Sequence, residues 1–429
     1  MELNQPQWLA AAKGIHSQVI AHRQHLHAHP ELSFAEHATS DYVAASLEGM
    51  GIEFTRGWCR NEGKAGIVAE IHGSAPTSKN PSNTSQPRHV ALRADLDALP
   101  ILELPGPAYI SQNEGAMHAC GHDVHTACLL GAAQLLCERR DAWSGTVRLI
   151  FQPGEERLPG GASILVKEGA LGPLDLSGTL DEPGTLDEPG ATAKPNAPTS
   201  IAAQHVYPEL TAGKLGFRSG PYMAATDEIY ITISAHGGHG ALPQTTPDPI
   251  VSAAHLILAL QSLVSRMRDP LSPGVLTIGQ ISGGTAGNII PTEVKLAGTL
   301  RSYDESWRAR AHADMERIVH ATCLAYGATV QLDIKHGYPA VVNEPELTAR
   351  CRKIAVELVG EENVVDLPQR MTGEDFSFYQ RVVPGCFYRL GTSGDDPRTH
   401  NGLHTPGFDI DERALITGTA MLAALGAGM

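Results

Sequence analysis

Strict alternation of apolar and polar residues marks residues 227 to 234, with Ile229, Ile231 and Ile233 on one face; this predicts a half-buried strand. From Pro249 the period changes. Ile250, Ala254, Ile257, Gln261 and Val264 recur at helical spacing as far as Met267, which predicts a helix opened by proline. Residues 275–281 and 294–301 read as two more strands, 306–325 as a second helix and 328–334 as a closing strand. The order β-α-β-β-α-β is that of a ferredoxin-like unit. Outside it, residues 145–152 are a nearly continuous apolar run that stops at Pro153-Gly154, the pattern of a strand buried on both faces. Residues 90–93 form a shorter strand of the same kind, opening into Asp95 and Asp97.

At 429 residues the chain exceeds one ordinary core, so two or three domains are expected. Apolar content of 42% and charged content of 18% describe a soluble globular protein. A net charge of −15 argues against nucleic acid or an anionic membrane as partner, since both attract basic surfaces. Residues 1–18 lack a basic stretch followed by an apolar core, and no apolar run approaches ~20 residues, so neither a signal peptide nor a membrane span is expected. Seven scattered cysteines, an odd number, fit reduced thiols and a cytoplasmic location. Residues 178–183 (Gly-Thr-Leu-Asp-Glu-Pro) are repeated at once as 184–189, and an Ala/Pro/Thr-rich run follows to Thr199. Such a segment has too few large apolar groups to order itself, so a flexible insert is expected at about 176–199.

The chemistry is concentrated in His118-Ala119-Cys120-Gly121-His122-Asp123-Val124-His125, with three imidazoles, a thiol and a carboxylate in eight residues. These groups are costly to bury unpaired and are first-choice ligands of zinc and related cations. In a locally extended chain Cys120 and His122 would point to one face. Directly after the 145–152 strand stand Glu155 and Glu156. Two adjacent carboxylates repel unless a cation lies beside them, and a metal would let one ligate while the other handles a proton. His205 and His404 each precede a turn containing proline, at Pro208 and Pro406, and Asp95 and Asp97 are candidates for ligands or for carboxylates that orient ligand imidazoles. No Gly-x-Ser-x-Gly elbow is present to suggest a serine nucleophile.

With these motifs in order, the chain resembles the M20 metallopeptidase and amidohydrolase family, in its aminoacylase-, hippurate-hydrolase- and indole-acetyl-amino-acid-hydrolase-like branch. The resemblance is carried by His27-Ala28-His29-Pro30-Glu31-Leu32, Leu92-Arg93-Ala94-Asp95-Leu96-Asp97, the 118–125 run and Phe151-Gln152-Pro153-Gly154-Glu155-Glu156. It continues in Gly237-Gly238-His239, Gly287-Asn288-Ile289-Ile290-Pro291, Gly373-Glu374-Asp375-Phe376 and Leu403-His404-Thr405-Pro406. It implies an α/β fold: a discontinuous catalytic domain (1–216 and 336–429) with a central mixed sheet flanked by helices, interrupted by a ferredoxin-like α+β lid and dimerisation domain (217–335). It implies two divalent metal ions (Mn²⁺, Zn²⁺ or Co²⁺) held by Cys120, His122, Glu156, His205 and His404, with Asp95 and Asp97 behind them and Glu155 as general base. His239 and Asn288 would hold the substrate carbonyl, and Arg301 would hold a substrate carboxylate. The implied reaction is hydrolysis of N-acyl amino acids, small-molecule substrates, by a homodimer or dimer-based oligomer. A dipeptidase or carboxypeptidase on the same scaffold, or a metal-stabilised binding module without activity, are the alternatives. One position departs from the family pattern: Gln244 stands where a His is usual.

Overall fold

A computed structural model describes residues 5–76, 88–106, 108–172 and 197–429. The tandem repeat at 178–189, and with it most of the expected insert, lies outside the described residues. The main sheet has eight strands in the order Phe54–Trp58, Gly66–Ser74, Ser144–Gln152, His89–Asp95, Ser200–Thr211, Gly385–Ser393, Leu215–Phe217 and Val364–Asp366. Its centre is parallel: His89–Asp95 pairs in parallel with both Ser144–Gln152 and Ser200–Thr211, and the latter with Gly385–Ser393. The pairs Phe54–Trp58 with Gly66–Ser74, Gly66–Ser74 with Ser144–Gln152, and Gly385–Ser393 with Leu215–Phe217 are antiparallel, so the sheet is mixed. Both faces are covered, which is why the central strands read as unbroken apolar runs. One face carries the helices His122–Glu138 and Ala414–Gly428, whose residues are buried nearly all round. The other packs against Gly161–Glu168 and Ser377–Gln380.

The expected β-α-β-β-α-β order is found. Ala225–Ser234, Gly274–Gly283, Glu293–Ser302 and Thr329–His336 form a second, antiparallel sheet, in which Ala225–Ser234 lies between Glu293–Ser302 and Thr329–His336. Its two helices, Pro249–Leu260 and Glu305–Ala325, close a separate core around Ile229, Ile231, Ile233, Leu256 and Met315.

Three local expectations are corrected. The helix after Pro249 ends at Leu260, with a further turn at Ser262–Ser265, and its buried stripe is Ala253, Leu256, Leu260 and Leu263. The stripe through Ile250 and Ala254 faces outward. This segment is apolar on most sides, so its period left the stripe open and docking on the sheet chose it. His205 does not precede a turn: its strand continues through Pro208 to Thr211, held by parallel pairing to Gly385–Ser393. The 118–125 run is not extended either, because a helix starts at His122.

A candidate metal centre

That helix start is what brings the ligand atoms together. Gly121 takes φ +79°, a left-handed conformation, and a Cβ there would meet Val206 Cγ2 at 2.5 Å. Only glycine turns the chain so sharply at this spot. The thiol of Cys120 and the imidazole of His122 therefore converge through a turn. His205 comes from the centre of its strand, Glu156 from the turn after Ser144–Gln152, and His404 from a loop. Cys120 Sγ is 3.5 Å from His205 Nε2 and 3.3 Å from His404 Nε2, and His404 Nε2 is 3.2 Å from Glu156 Oε1. His122 Nε2 lies 4.0 Å from the same Glu156 oxygen. Cys120, His122 and His205 form one group whose ligand atoms are all within 4.8 Å of one another; Cys120, Glu156 and His404 form a second, sharing the thiol. The site sits near the ends of parallel strands, where open α/β sheets bind ligands.

Surrounding groups aim these ligands inward. His122 Nδ1 donates to the backbone oxygen of Asp97 at 2.8 Å, and His205 Nδ1 to that of Val206 at 2.8 Å. In both rings this leaves the Nε2 lone pair facing the centre. Asp97 Oδ2 accepts from Ser33 Oγ at 2.7 Å and from the backbone N–H of Glu156 at 2.9 Å, so this carboxylate ties one ligand's backbone to another's ring. Two buried polar atoms at the centre lack a geometrically formed hydrogen bond: His122 Nε2, and Glu156 Oε1, which meets His404 only as an ion pair. Buried polar atoms are rarely left so. The orphaned imidazole and carboxylate, with a thiol between them, form a donor set that fits divalent cations. The field here is strongly negative. Burial alone would lower the pKa of His122, but Asp95, Asp97 and Glu156 outweigh it and push it to about 10. Burial, reinforced by Glu156 and Glu155, pushes the Cys120 thiol well above its ordinary range. A cation at the centre reverses both preferences, because coordination deprotonates thiol and imidazolium. Alkylation of Cys120 should therefore be slow with metal bound and speed up after chelation. Equal rates, together with full metal occupancy in Cys120→Ala, would remove the thiol from the ligand set.

Asp123 and His125, from the same run, serve elsewhere. Asp123 accepts from Arg23 Nε at 2.9 Å and pairs with His27 at 2.8 Å, away from the centre. His125 Nδ1 bonds Asp95 at 2.6 Å and its Nε2 accepts from Val206 N at 2.9 Å, bracing the His205 strand.

Glu155 is buried beside Glu156, and its backbone oxygen accepts from Tyr338 Oη at 2.6 Å. Burial first, then Glu374 and Glu156, raise its pKa well above the carboxylate range. Beneath it lies a network that the sequence reading did not assemble. Arg93 donates to Gln152 at 2.9 Å and to Asp375 at 2.8 Å, and pairs with Glu374 at 3.1 Å and with Asp95. Asp375 also accepts from Gln152 Nε2 and from the backbone N–H of Ala162. The signal for it lay in the Leu92-Arg93 and Gly373-Glu374-Asp375 motifs, but nothing in their spacing pairs them.

Cys120, Glu155, Glu156, His205, His404 and Arg301 all line one cleft of about 750 Å³. Arg301 reaches it from the second sheet, on Glu293–Ser302. His239 and Asn288 do not line it. They are exposed neighbours: Ile289 pairs with His239, and Gly240 N donates to the Asn288 oxygen at 2.8 Å. Gln244 lies in the short helical turn Pro243–Thr245, also exposed.

A mixed sheet with this cleft at its strand ends defines an α/β scaffold that carries a candidate cation site. The profile of peptidase family M20/M25/M40 matches residues 91–427, and the chain belongs to that family. It is 35% identical over 408 residues to an N-acetyl-L-cysteine deacetylase of Bacillus subtilis, covering 95% of this chain and 87% of that protein. It is 39% identical over 333 residues to an N-acyl-L-amino acid amidohydrolase of Geobacillus stearothermophilus, covering 77% and 80%. Among solved structures it superposes on a dinuclear metal binding M20 peptidase of Bacillus subtilis with a TM-score of 0.75, at 32% identity over 97% and 98% of the two chains. The chain is thus a hydrolase of the M20 peptidase and amidohydrolase family. No helix among the described residues is long and apolar enough to cross a membrane.

Proposed function

We propose that this protein hydrolyses the amide bond of N-acyl amino acids, releasing a carboxylic acid and a free amino acid. The observation that supports this best is the shared cleft: Cys120, Glu156, His205 and His404 of the cluster that His122 completes from behind, the buried acid Glu155 and Arg301 all line one cavity. A pair of divalent cations (Mn²⁺, Zn²⁺ or Co²⁺) would supply Lewis acidity, making water acidic enough to lose a proton near neutral pH and polarising the scissile carbonyl. Glu155 takes the proton from the attacking water and hands it to the leaving nitrogen. A carboxyl buried beside Glu156 and screened from bulk water can keep that proton for delivery. The side chain of Arg301 makes no salt bridge or hydrogen bond among the described residues and can clamp the α-carboxylate in two-pronged fashion.

Amidating the α-carboxylate of an N-acetyl or N-benzoyl amino acid should then lower kcat/KM strongly in the parent and much less in Arg301→Ala. Equal hydrolysis of acid and amide by the parent would remove the carboxylate from the substrate class. Running dipeptides in the same screen, with each metal added, decides against the dipeptidase or carboxypeptidase alternative if only the acyl substrates turn over.

In this reading residues 217–335 act as a lid and dimerisation unit on a catalytic body formed by 1–216 and 336–429. His239 and Asn288, which are exposed and do not line the cleft of their own chain, then serve the site of a second copy as donors to the developing oxyanion. Mixing Glu155→Gln with His239→Ala, each inactive alone, should restore partial activity once subunits exchange. A mixture that stays inactive despite proven exchange would show that His239 does not act across a dimer.

A further inference from the structure

The cleft holds a second arginine that the proposed mechanism leaves unused. Arg389 stands on Gly385–Ser393, directly beside His205 in the parallel register, and its residue is only 3% exposed. An arginine keeps its charge at any physiological pH, and a buried charge normally has an opposite partner. Arg93 follows that rule with Asp95, Glu374 and Asp375, and so does Arg308 with Asp227. Arg389 does not. Among the described residues no carboxylate pairs with it. Its Nε donates to Tyr222 Oη at 2.9 Å, its Nη2 meets only the thioether of Met223 at 3.2 Å, and Nη1 makes no hydrogen bond. Three rings, Phe387, Tyr222 and Tyr207, stand 5.2, 5.6 and 5.9 Å from the guanidinium carbon. Such rings accommodate the charge of the planar group, but they leave the N–H edge without an acceptor. Arg370, also lining the cleft, stacks on the same Tyr207 ring at 4.7 Å and has only a loose 3.8 Å pair with the exposed Glu209. Of the acids that share the cleft, Asp227 is committed to Arg308 and His312, Glu374 to Arg93 and Glu156 to His404.

We infer that the substrate carries a second carboxylate in addition to its α-carboxylate, and that Arg389, with Arg370 beside it, is the subsite that receives it. The inference deepens the proposed function and rests on it. Arg301 on the second sheet takes one anion, and Arg389 on the main sheet takes the other, with the scissile amide between them at the metal cluster. A carboxylate supplies the in-plane acceptors that the Arg389 fork lacks, and a neutral amide cannot match both prongs. The second carboxylate belongs either to an acidic amino-acid side chain or to a dicarboxylic acyl group, and two substrate pairs separate these sources. N-acetyl-L-glutamate is compared with N-acetyl-L-glutamine, and N-succinyl-L-leucine with its terminal amide, using the metal-loaded full chain.

The parent should prefer the acid over the amide by about tenfold or more in kcat/KM in one of the two pairs, a difference of about 1.4 kcal/mol. In Arg389→Met that ratio should fall toward one, and in Arg389→Lys, which keeps the charge without the fork, part of it should remain. Competitive inhibition by the products, L-glutamate against L-glutamine and succinate against succinamate, should follow the same order; this reads binding apart from chemistry. Should Arg389→Met fail to fold, the Lys variant and parent inhibition carry the test. A parent ratio near one in both pairs overturns the subsite while leaving the proposed function standing. So does a ratio that survives in Arg389→Met while turnover falls for acid and amide alike, because Arg389 would then serve only to position His205. Absence of turnover with every N-acyl amino acid overturns the proposed function and the subsite together.

Discussion

Glu155→Gln is expected to lower turnover by ~10²–10⁴-fold, the usual worth of a positioned general base, while bound metal stays at the parent level. The substitution keeps the shape of the side chain and leaves the backbone oxygen that accepts from Tyr338 Oη untouched. It removes only the ability to take a proton. The ligand carboxylate, Glu156, is separate, and its backbone N–H stays anchored on Asp97. Loss of activity through misfolding is not expected, and the direction of the pKa shift says why. The folded metal-free protein holds the Glu155 proton to a higher pH than the unfolded chain does, because of burial and then Glu374 and Glu156. In the window from the ordinary carboxylate range up to the raised folded value, the folded state binds more protons, so stability falls as pH rises. Gln, always neutral, avoids that loss. The metal-free variant should therefore melt no lower than the metal-free parent at neutral pH. Metal analysis, turnover and melting on the same preparation check all three; near-normal turnover would remove Glu155 from the role of base.

The second large effect is structural. Arg93→Leu should destabilise the protein by ~3–5 kcal/mol, because it strips the cation from Asp95, Glu374 and Asp375, all buried. Asp95 is held well below the carboxylate range; burial opposes this, but Arg93, His122 and His125 prevail. Without Arg93 its charge loses a principal support, and His125, which braces Val206 next to the ligand His205, loses its anchor. Arg93→Lys should recover only part, since one ammonium cannot reach Gln152 and three carboxylates in a single plane. The measurement is the denaturant midpoint of the first unfolding transition, with metal affinity read alongside. A midpoint unchanged from the parent in Arg93→Leu would mean that the carboxylates take up protons at little cost, and the network would lose its assigned role.

The two substitutions mark different depths of legibility. Glu155 and Glu156 could be read from sequence because adjacency is itself a chemical statement: two carboxylates at a strand end conflict unless a cation or proton intervenes. The 118–125 run was legible as a donor cluster for the same reason. The division of labour within it was not. Cys120 and His122 turn to the centre, Asp123 to Arg23 and His125 to Asp95, because Gly121 breaks the run and a helix then fans its side chains around an axis. Neither the left-handed turn nor the helix start follows from the residue types.

Periodicity determined the order of elements in the second sheet, since alternation and helical spacing are local and survive without tertiary contacts. It could not say which side of the Pro249–Leu260 helix is buried, because an apolar segment offers several stripes and the sheet selects one. Local pattern also cannot bring together Arg93 and Asp375, 282 positions apart, or set Arg389 beside His205. Those meetings depend on parallel strands whose register is decided by both faces of the sheet at once. The donor types, the strand ends and the element order were thus written in the sequence. Which donors share a centre, and which charges are left without partners, was settled only when burial forced every polar group to find one.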